Sequence, residues 1–336
     1  MLKKKESYNV CVVGAGAVGV ELLRVLKQRK FPAARLTVLA RSDRTLTVDG
    51  ESYPVKSVSP EAFDGQEIVL FAGTEGDKGA AVTYAKEAIA RGAVCIDNGA
   101  DFRMDPAVPL VVPEVNAAAL KQHTGLIANP NCSTIQMVVA LGPIHREFKI
   151  KRIIVSTYQA ASGAGSKALE SLQNETAAFI QKQPLPKPEA MPQRIAFNVF
   201  PQIGSFAELG YTSEEWKMVK ETHKILGDSS IAVNATTVRV PVFDSHSESV
   251  YIETGKPSSL DKIRSLLKQS PGILLSDDPA YPMPVDAAHR DEVFVGRLRK
   301  DPVIANAYSL WIVSDNLRKG AALNAVQIAE TLIQNA

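Results

Sequence analysis

Several things are scarce in this chain. Only three of its 336 residues are cysteine, five are histidine and 6% are aromatic. The three cysteines, Cys11, Cys95 and Cys132, are an odd number without metal-ligand spacing. That argues against a disulfide framework or a metal site and fits a reducing cytoplasm in which at least one thiol is free for chemistry. Neither sign of charge is in excess: 38 Lys and Arg face 36 Asp and Glu, leaving a net +2 with the two signs interspersed. A nucleic-acid partner would show clustered Lys and Arg, so none is expected. No apolar run approaches the roughly 18 residues of a membrane span, so no membrane is expected either. The basic stretch Met1 to Glu6 lacks the apolar core of a secretion signal.

What is present is ordinary for a globular protein, with 45% hydrophobic and 22% charged residues. The length allows two domains at roughly 150 residues each. The first third alternates short β-rich runs with helix-period runs, as a parallel sheet with crossover helices would. Tyr8 to Val13, Leu36 to Ala40, Ile68 to Phe71 and Ala93 to Ile96 read as strands. Val18 to Leu26 carries apolar residues at helical spacing, and Asp77 to Arg91 reads as a helix with Asp77 as its N-cap. The rhythm changes after Asn129. A helix, Ser133 to Phe148, leads to a longer strand, Ile150 to Ala160, a glycine break at Ser162 to Gly165, and then a loop with Pro184, Pro186, Pro188 and Pro192. Later strands, Ile231 to Pro241, Ser247 to Thr254 and Tyr308 to Ser314, are longer and look antiparallel. A final amphipathic helix, Lys319 to Asn335, is expected to return to the first domain. The fold class is thus α/β: a doubly wound parallel sheet, plus an α+β second domain with a mixed, largely antiparallel sheet. The boundary falls near 130, with 131–317 forming the second domain and 318–336 completing the first.

Gly14-Ala15-Gly16-Ala17-Val18-Gly19 follows a strand and opens a helix. There the backbone must turn tightly and approach a pyrophosphate whose charge meets the helix N-terminus. A glycine turn without ligand has the same local pattern. At the end of the second strand an NAD site usually carries an acidic residue for the ribose hydroxyls. Here Arg41, Ser42 and Arg44 stand instead, around Asp43. They suit the extra phosphate of NADP, or form a solvated basic loop.

Cys132, in Asn129-Pro-Asn-Cys-Ser-Thr134, sits where a turn meets a helix. A free thiol, with a reference pKa of about 8.5, is mostly protonated at neutral pH. A helix N-terminus lowers that value and offers N–H groups to an oxyanion. Position alone leaves nucleophile and structural thiol both open. Cys11 and Cys95 lie in apolar strands and read as core.

Asn129-Pro-Asn-Cys-Ser-Thr-Ile-Gln136 resembles the active-site signature of aspartate-semialdehyde dehydrogenases. So do Thr157-Tyr-Gln-Ala-Ala-Ser-Gly-Ala-Gly165, Glu221-Thr-His-Lys224, Val238-Arg-Val-Pro-Val-Phe-Asp-Ser-His-Ser-Glu248 and Ser314-Asp-Asn-Leu-Arg-Lys-Gly-Ala-Ala-Leu-Asn324. The matches run in order along nearly the whole chain. The resemblance implies a Rossmann-type NADP-binding domain over 1–130 and a catalytic and dimerisation domain over 131–317. It also implies reversible NADP-dependent reduction of L-aspartyl 4-phosphate to L-aspartate 4-semialdehyde through a cysteine thioester, as a step in lysine, threonine and methionine (diaminopimelate) biosynthesis. In that scheme Cys132 attacks, His246 is the general base and Gln159 orients the reacting groups. Arg239 pairs with the substrate carboxylate, Glu221 with its ammonium, Arg103 and Lys224 with inorganic phosphate, and Asn131 also contacts substrate. Gly73, Ser162, Gly163 and Asn316 join Gly14 to Gly19, Arg41, Ser42 and Arg44 at the cofactor. No metal is implied, and a homodimer or homotetramer is.

The bland readings are a surface ion pair for Glu221 and Lys224, a solvent-facing Arg239, a loop histidine for His246, and local pairing of Arg103 with Asp101 or Asp105. His123, His145, His223 and His289 match no family position and read as structural. The chain also departs from the family's pattern. Val13 and Ala15 replace a glycine and a threonine of the phosphate loop, removing a hydroxyl worth about 1 kcal/mol. Asp101 adds a negative charge just before Arg103. A non-catalytic relative acting as a binding partner, or another phosphorylating aldehyde dehydrogenase, are the competing functions.

Overall fold

Residues Tyr8–Val13 (β1) are β-rich and almost wholly buried, as a central parallel strand covered on both faces must be. The computed structural model describes residues 2–335 apart from 74, 75, 77 and 78. Contacts divide the chain into two units, Met1–Asn131 with Ala321–Ala336, and Cys132–Gly320.

In the first unit β1 is followed by α1 (Ala17–Gln28), β2 (Ala33–Ala40), the hairpin β3 (Arg44–Val48) and β4 (Glu51–Ser57), β5 (Ile68–Phe71), α2 (Ala80–Ala90), β6 (Val94–Asp97), α3 (Pro113–Asn116) and β7 (Leu126–Ala128). The sheet order is β3-β4-β2-β1-β5-β6-β7, parallel except for the β3–β4 pair. Because β1 is flanked by β2 on one side and β5 on the other, the chain reverses its winding at the carboxyl end of β1. Ligands of open α/β sheets bind at such a point. Arg44 therefore opens an edge strand. Helix α2 begins at Ala80, capped from Gly79, and the expected N-cap Asp77 lies outside the described residues. The C-terminal helix Leu323–Gln334 contributes Leu323, Ala325, Val326, Ile328 and Ala329 to this unit's core beside Leu22 and Leu26. It starts later than Lys319 because Arg318–Ala322 forms a π-turn first.

The second unit opens with α4 (Cys132–Phe148) and β8 (Ile150–Gln159). Then come α5 (Ser166–Ile180), α6 (Ser213–Leu226), β9 (Ala232–Arg239), β10 (His246–Thr254), α7 (Leu260–Gln269), β11 (Ile273–Leu275), α8 (Pro284–Ala287), β12 (Val293–Lys300) and β13 (Ala307–Ser314). Its sheet runs β11-β12-β13-β10-β8-β9. Two sequence expectations are corrected here. The strand placed at Ile231 to Pro241 pairs with β8 in parallel, not antiparallel, because α5 and α6 form the crossover that parallel neighbours require. Helix α5 also separates the glycine break from the proline-rich loop. Its buried Glu175 accepts hydrogen bonds from the Ile195 and Ala196 amides at 2.9 and 2.8 Å, which ties that loop down. Helices α4, α6 and α7 cover one face of the sheet.

Candidate active site

Side chains alternate across a strand, and the buried positions of β8, β9 and β10 fall on the face beneath α4 and α6. At one end of that face Arg239 of β9 is in register with Gln159 of β8. His246 of β10 is in register with Ser314 of β13. Arg239, Gln159, His246 and Ser314 are 5, 1, 0 and 0% exposed, so none is a solvent-facing or loop residue. Cys132 starts α4 and is the one half-buried cysteine of the three. Cys11 and Cys95 are fully buried, and burial pushes the Cys95 thiol up to about 12 and that of Cys11 higher still.

Hydrogen bonds join these residues. Gln159 Nε2 donates to Ser133 Oγ at 2.8 Å and to Glu214 Oε1 at 3.3 Å. Arg239 Nη1 donates to the Ala160 carbonyl at 2.5 Å, and the Ala160 amide donates to His246 Nδ1 at 3.1 Å. Two glycines let the parts close up. A Cβ on Gly163 would lie 2.9 and 3.0 Å from His246 Cε1 and Nε2 and 3.1 Å from Arg239 Nη1. A Cβ on Gly320 would lie 2.8 Å from that of Cys132. The imidazole edge and the guanidinium thus share one small space over Gly163.

The electrostatics follow from burial. Desolvation, then the neighbouring Arg239 charge, hold the imidazolium form of His246 well below its usual range, so the ring is neutral. Desolvation also lowers Arg239, against attraction from the Cys132 thiolate and Glu214. On α6, Glu214 pairs with Lys217 one turn on, at 3.7 Å. Sequence reasoning missed this pair. Its signal was Thr212-Ser-Glu-Glu215, an N-terminal capping box that puts Glu214 in the first turn of α6. The expected Glu221 and Lys224 lie on the same helix, Glu221 seven residues and about 10 Å of axis beyond Glu214. Glu221 is 1% exposed, so the surface-pair reading fails for it.

The first unit holds the other expected residues. Gly14 has φ +113°, and a Cβ on Gly19 would sit 1.9 Å from the Gly14 carbonyl oxygen, while the space above Gly16 is open. The loop therefore has the turn, the close helix approach and the clearance that a pyrophosphate needs. Arg41, Ser42 and Arg44 are exposed. Asp43 is drawn to β4, accepting from the Ser57 amide and hydroxyl, both at 2.7 Å, which leaves the basic side chains to face solvent. Gly73 has φ +78° and packs on Asn98. Arg103 is buried and donates to the Asn129 carbonyl at 2.9 Å and the Asn98 carbonyl at 2.8 Å. Asp101 accepts from the Gly76 amide at 3.1 Å. Asn131, also buried, precedes Cys132 in the chain. Within the second unit, Ser162 Oγ and Asn316 exchange hydrogen bonds at 3.0 and 3.1 Å.

Known proteins resemble both halves of the chain. The family description "Semialdehyde dehydrogenase, NAD binding domain" matches residues 9–123, and "Semialdehyde dehydrogenase, dimerisation domain" matches 141–319. The aspartate-semialdehyde dehydrogenase of Aquifex aeolicus is 52% identical over 97% of this chain and 98% of its own. That of Bacillus subtilis is 50% identical over 96% and 97%. The crystal structure of aspartate semialdehyde dehydrogenase II from Vibrio cholerae, complexed with ASA, superposes with a TM-score of 0.94 at 44% identity, covering 98% of this chain and 99% of that one.

Proposed function

The chain belongs to the aspartate-semialdehyde dehydrogenase family, and on that premise we propose that it interconverts L-aspartyl 4-phosphate and L-aspartate 4-semialdehyde through a thioester on Cys132, with NADP and inorganic phosphate. It is an oxidoreductase acting on an aldehyde. The observation that carries the thioester reading is the grouping of Arg239, Gln159 and His246 with the half-buried thiol at the start of α4.

An amino-acid substrate needs an anion partner and a cation partner. The Arg239 guanidinium fork suits the planar α-carboxylate. Glu214, hydrogen-bonded to Gln159 and attracted to Arg239, suits the α-ammonium better than Glu221. Lys217, paired with Glu214, is likewise preferred to Lys224 for phosphate, with Arg103 retained. Gln159, fixed between Ser133 and Glu214, orients the group attached to sulfur.

The loop Gly14 to Gly19 would hold the cofactor pyrophosphate, and Arg41, Ser42 and Arg44 its 2′-phosphate. When bound, the nicotinamide supplies or accepts hydride at the carbon carried by Cys132. The exposed strip Ile154 and Tyr158 on β8, with the Tyr158 ring tilted against that of Trp311 of β13 at 5.5 Å between centroids, lies on the sheet face away from α4. It supports a homodimer through this unit.

The test is phosphate-dependent reduction of NADP⁺ by L-aspartate 4-semialdehyde. Turnover that requires phosphate and strongly prefers NADP⁺ is expected. A folded protein without turnover, or with turnover indifferent to phosphate, would overturn the proposal.

A further inference from the structure

Three asparagines that no step of the proposed reaction uses stand where the parallel strands of the first unit end, the side on which open α/β sheets bind ligands. Asn98 follows β6, Asn129 follows β7, and Asn324 comes from the C-terminal helix; they are 9, 1 and 0% exposed. Asn324 Nδ2 donates to the Val111 carbonyl at 2.9 Å and to Asn129 Oδ1 at 2.7 Å. Asn129 Nδ2 donates to Asn98 Oδ1 at 2.9 Å, and Asn98 Nδ2 to the carbonyl of Phe71, the last residue of β5, at 2.7 Å. A main-chain carbonyl can only accept. Phe71 therefore sets the turn of the Asn98 amide, which sets that of Asn129, which sets that of Asn324, so a single orientation satisfies the whole row.

The main chain of two of these residues holds Arg103. Its Nε donates to the Asn129 carbonyl at 2.9 Å and its Nη2 to the Asn98 carbonyl at 2.8 Å. Both acceptors on that edge thus belong to residues whose side chains are bonded to each other. We infer that Asn324, Asn129 and Asn98 form a positioning relay that sets the direction of the Arg103 guanidinium toward inorganic phosphate. The inference rests on the reading above that Arg103 takes phosphate. Burial gives the row its force, because a desolvated amide must find its partners within the protein. Removing Asn324 takes this donor from Asn129 Oδ1. The Asn129 amide then turns to find another, its bond to Asn98 is lost, and the spacing of the two carbonyls on Arg103 relaxes. A guanidinium fork matches an oxyanion only in the right direction, so affinity for phosphate falls. Cys132, Gln159 and Arg239 lie in the second unit, and the chemistry at sulfur is left as it was. A mere staple for the C-terminal helix would not single out one substrate in this way.

The test is steady-state kinetics of the whole protein with inorganic phosphate varied and NADP⁺ and L-aspartate 4-semialdehyde saturating. Asn324→Leu should raise the KM for phosphate about tenfold, the effect of weakening one hydrogen bond to a charged group, and leave kcat within about twofold. Asn98→Ala, which cuts the row at its other end, should do the same and serves if Asn324→Leu does not fold. Arg103→Lys, which keeps the charge without the fork, is the reference and should raise that KM at least as far. Exchange of the Arg103 Nε proton reports the positioning without turnover. It is followed by NMR of protein with isotope-labelled arginine and assigned by its loss in Arg103→Lys; faster exchange in Asn324→Leu is expected. A folded relay variant with a lower melting temperature but an unchanged phosphate KM would overturn the inference and leave the row a staple. An unchanged phosphate KM in Arg103→Lys would also overturn it, yet leave the reaction standing. If wild type itself lacks phosphate-dependent turnover, the reaction assignment fails and the exchange alone decides whether the row fixes the guanidinium. Unchanged exchange in Asn324→Leu would then overturn that as well.

Discussion

In the first unit the candidate phosphate site is made of main chain: three glycines, a helix N-terminus and an open space above Gly16. In the second unit the candidate pocket is made of side chains from α4, α6, β8, β9 and β10, nearly all buried. The first kind of site tolerates wide variation in sequence provided no Cβ intrudes. The second depends on a few charged and polar groups taken out of water, whose partners the protein itself must supply. Loss of one buried partner should therefore cost more than loss of one exposed contact.

The largest effect should come from Arg239→Lys. The buried fork loses its bidentate geometry, and kcat/KM should fall about 100-fold or more, equivalent to roughly 3 kcal/mol. Steady-state kinetics showing less than about a tenfold loss would mean the pocket is less exacting than the comparison holds. Next is Gly19→Ala, which forces a methyl onto the Gly14 carbonyl 1.9 Å away. Overpacking of this kind costs about 1–3 kcal/mol. Titration with NADP⁺ should show about tenfold weaker binding, while the thiol reactivity of Cys132 stays as in wild type.

Of the same order is the pair Arg41→Ala and Arg44→Ala. Each should reduce the NADP-over-NAD ratio about tenfold, as a charge-assisted hydrogen bond of 1.5 kcal/mol or more would, and leave melting temperature unchanged. An unaltered ratio would break the claim that the exposed basic pair reads the 2′-phosphate.

The smallest effect concerns Glu248, fully buried two residues from His246 on β10. Burial pushes its carboxyl well above the usual range, against the smaller pull of the neighbouring Gln136 side chain, and neither carboxyl oxygen has a hydrogen-bond partner among the described residues. A carboxyl raised in the folded state carries no penalty below the unfolded range near about 4.3, and the penalty grows as pH rises through the window above it. Glu248→Gln should therefore melt like wild type at low pH and some 2–4 °C higher per kcal/mol relieved at pH about 8. Equal melting curves at both pH values would show that the carboxyl is not held neutral.

The two regions were also unequally legible. The loop Gly14 to Gly19 could be read locally, because the strand, turn and helix that give its glycines a purpose are adjacent in sequence. Cys132 was legible for the same reason. Glu214 was not: it comes close to Gln159 only because α6 sits in the crossover between β8 and β9, and the length of β9 in the sequence suggests an antiparallel strand. Glu221 and Lys224 have the same three-residue spacing on the same helix as Glu214 and Lys217, so spacing alone does not separate the two pairs. Helix α5 was hidden behind the glycine break that precedes it. The Ala160 amide left no trace in the sequence, since a main-chain donor has no residue type.

The central claim is that Cys132 carries the acyl group. The direct measurement is acid-quenched peptide mass spectrometry after mixing the protein with L-aspartyl 4-phosphate in the absence of reduced cofactor. The account predicts an acyl adduct on the peptide containing Cys132 and none in Cys132→Ala. An adduct on Cys11 or Cys95, or an undiminished adduct in the variant, would contradict it.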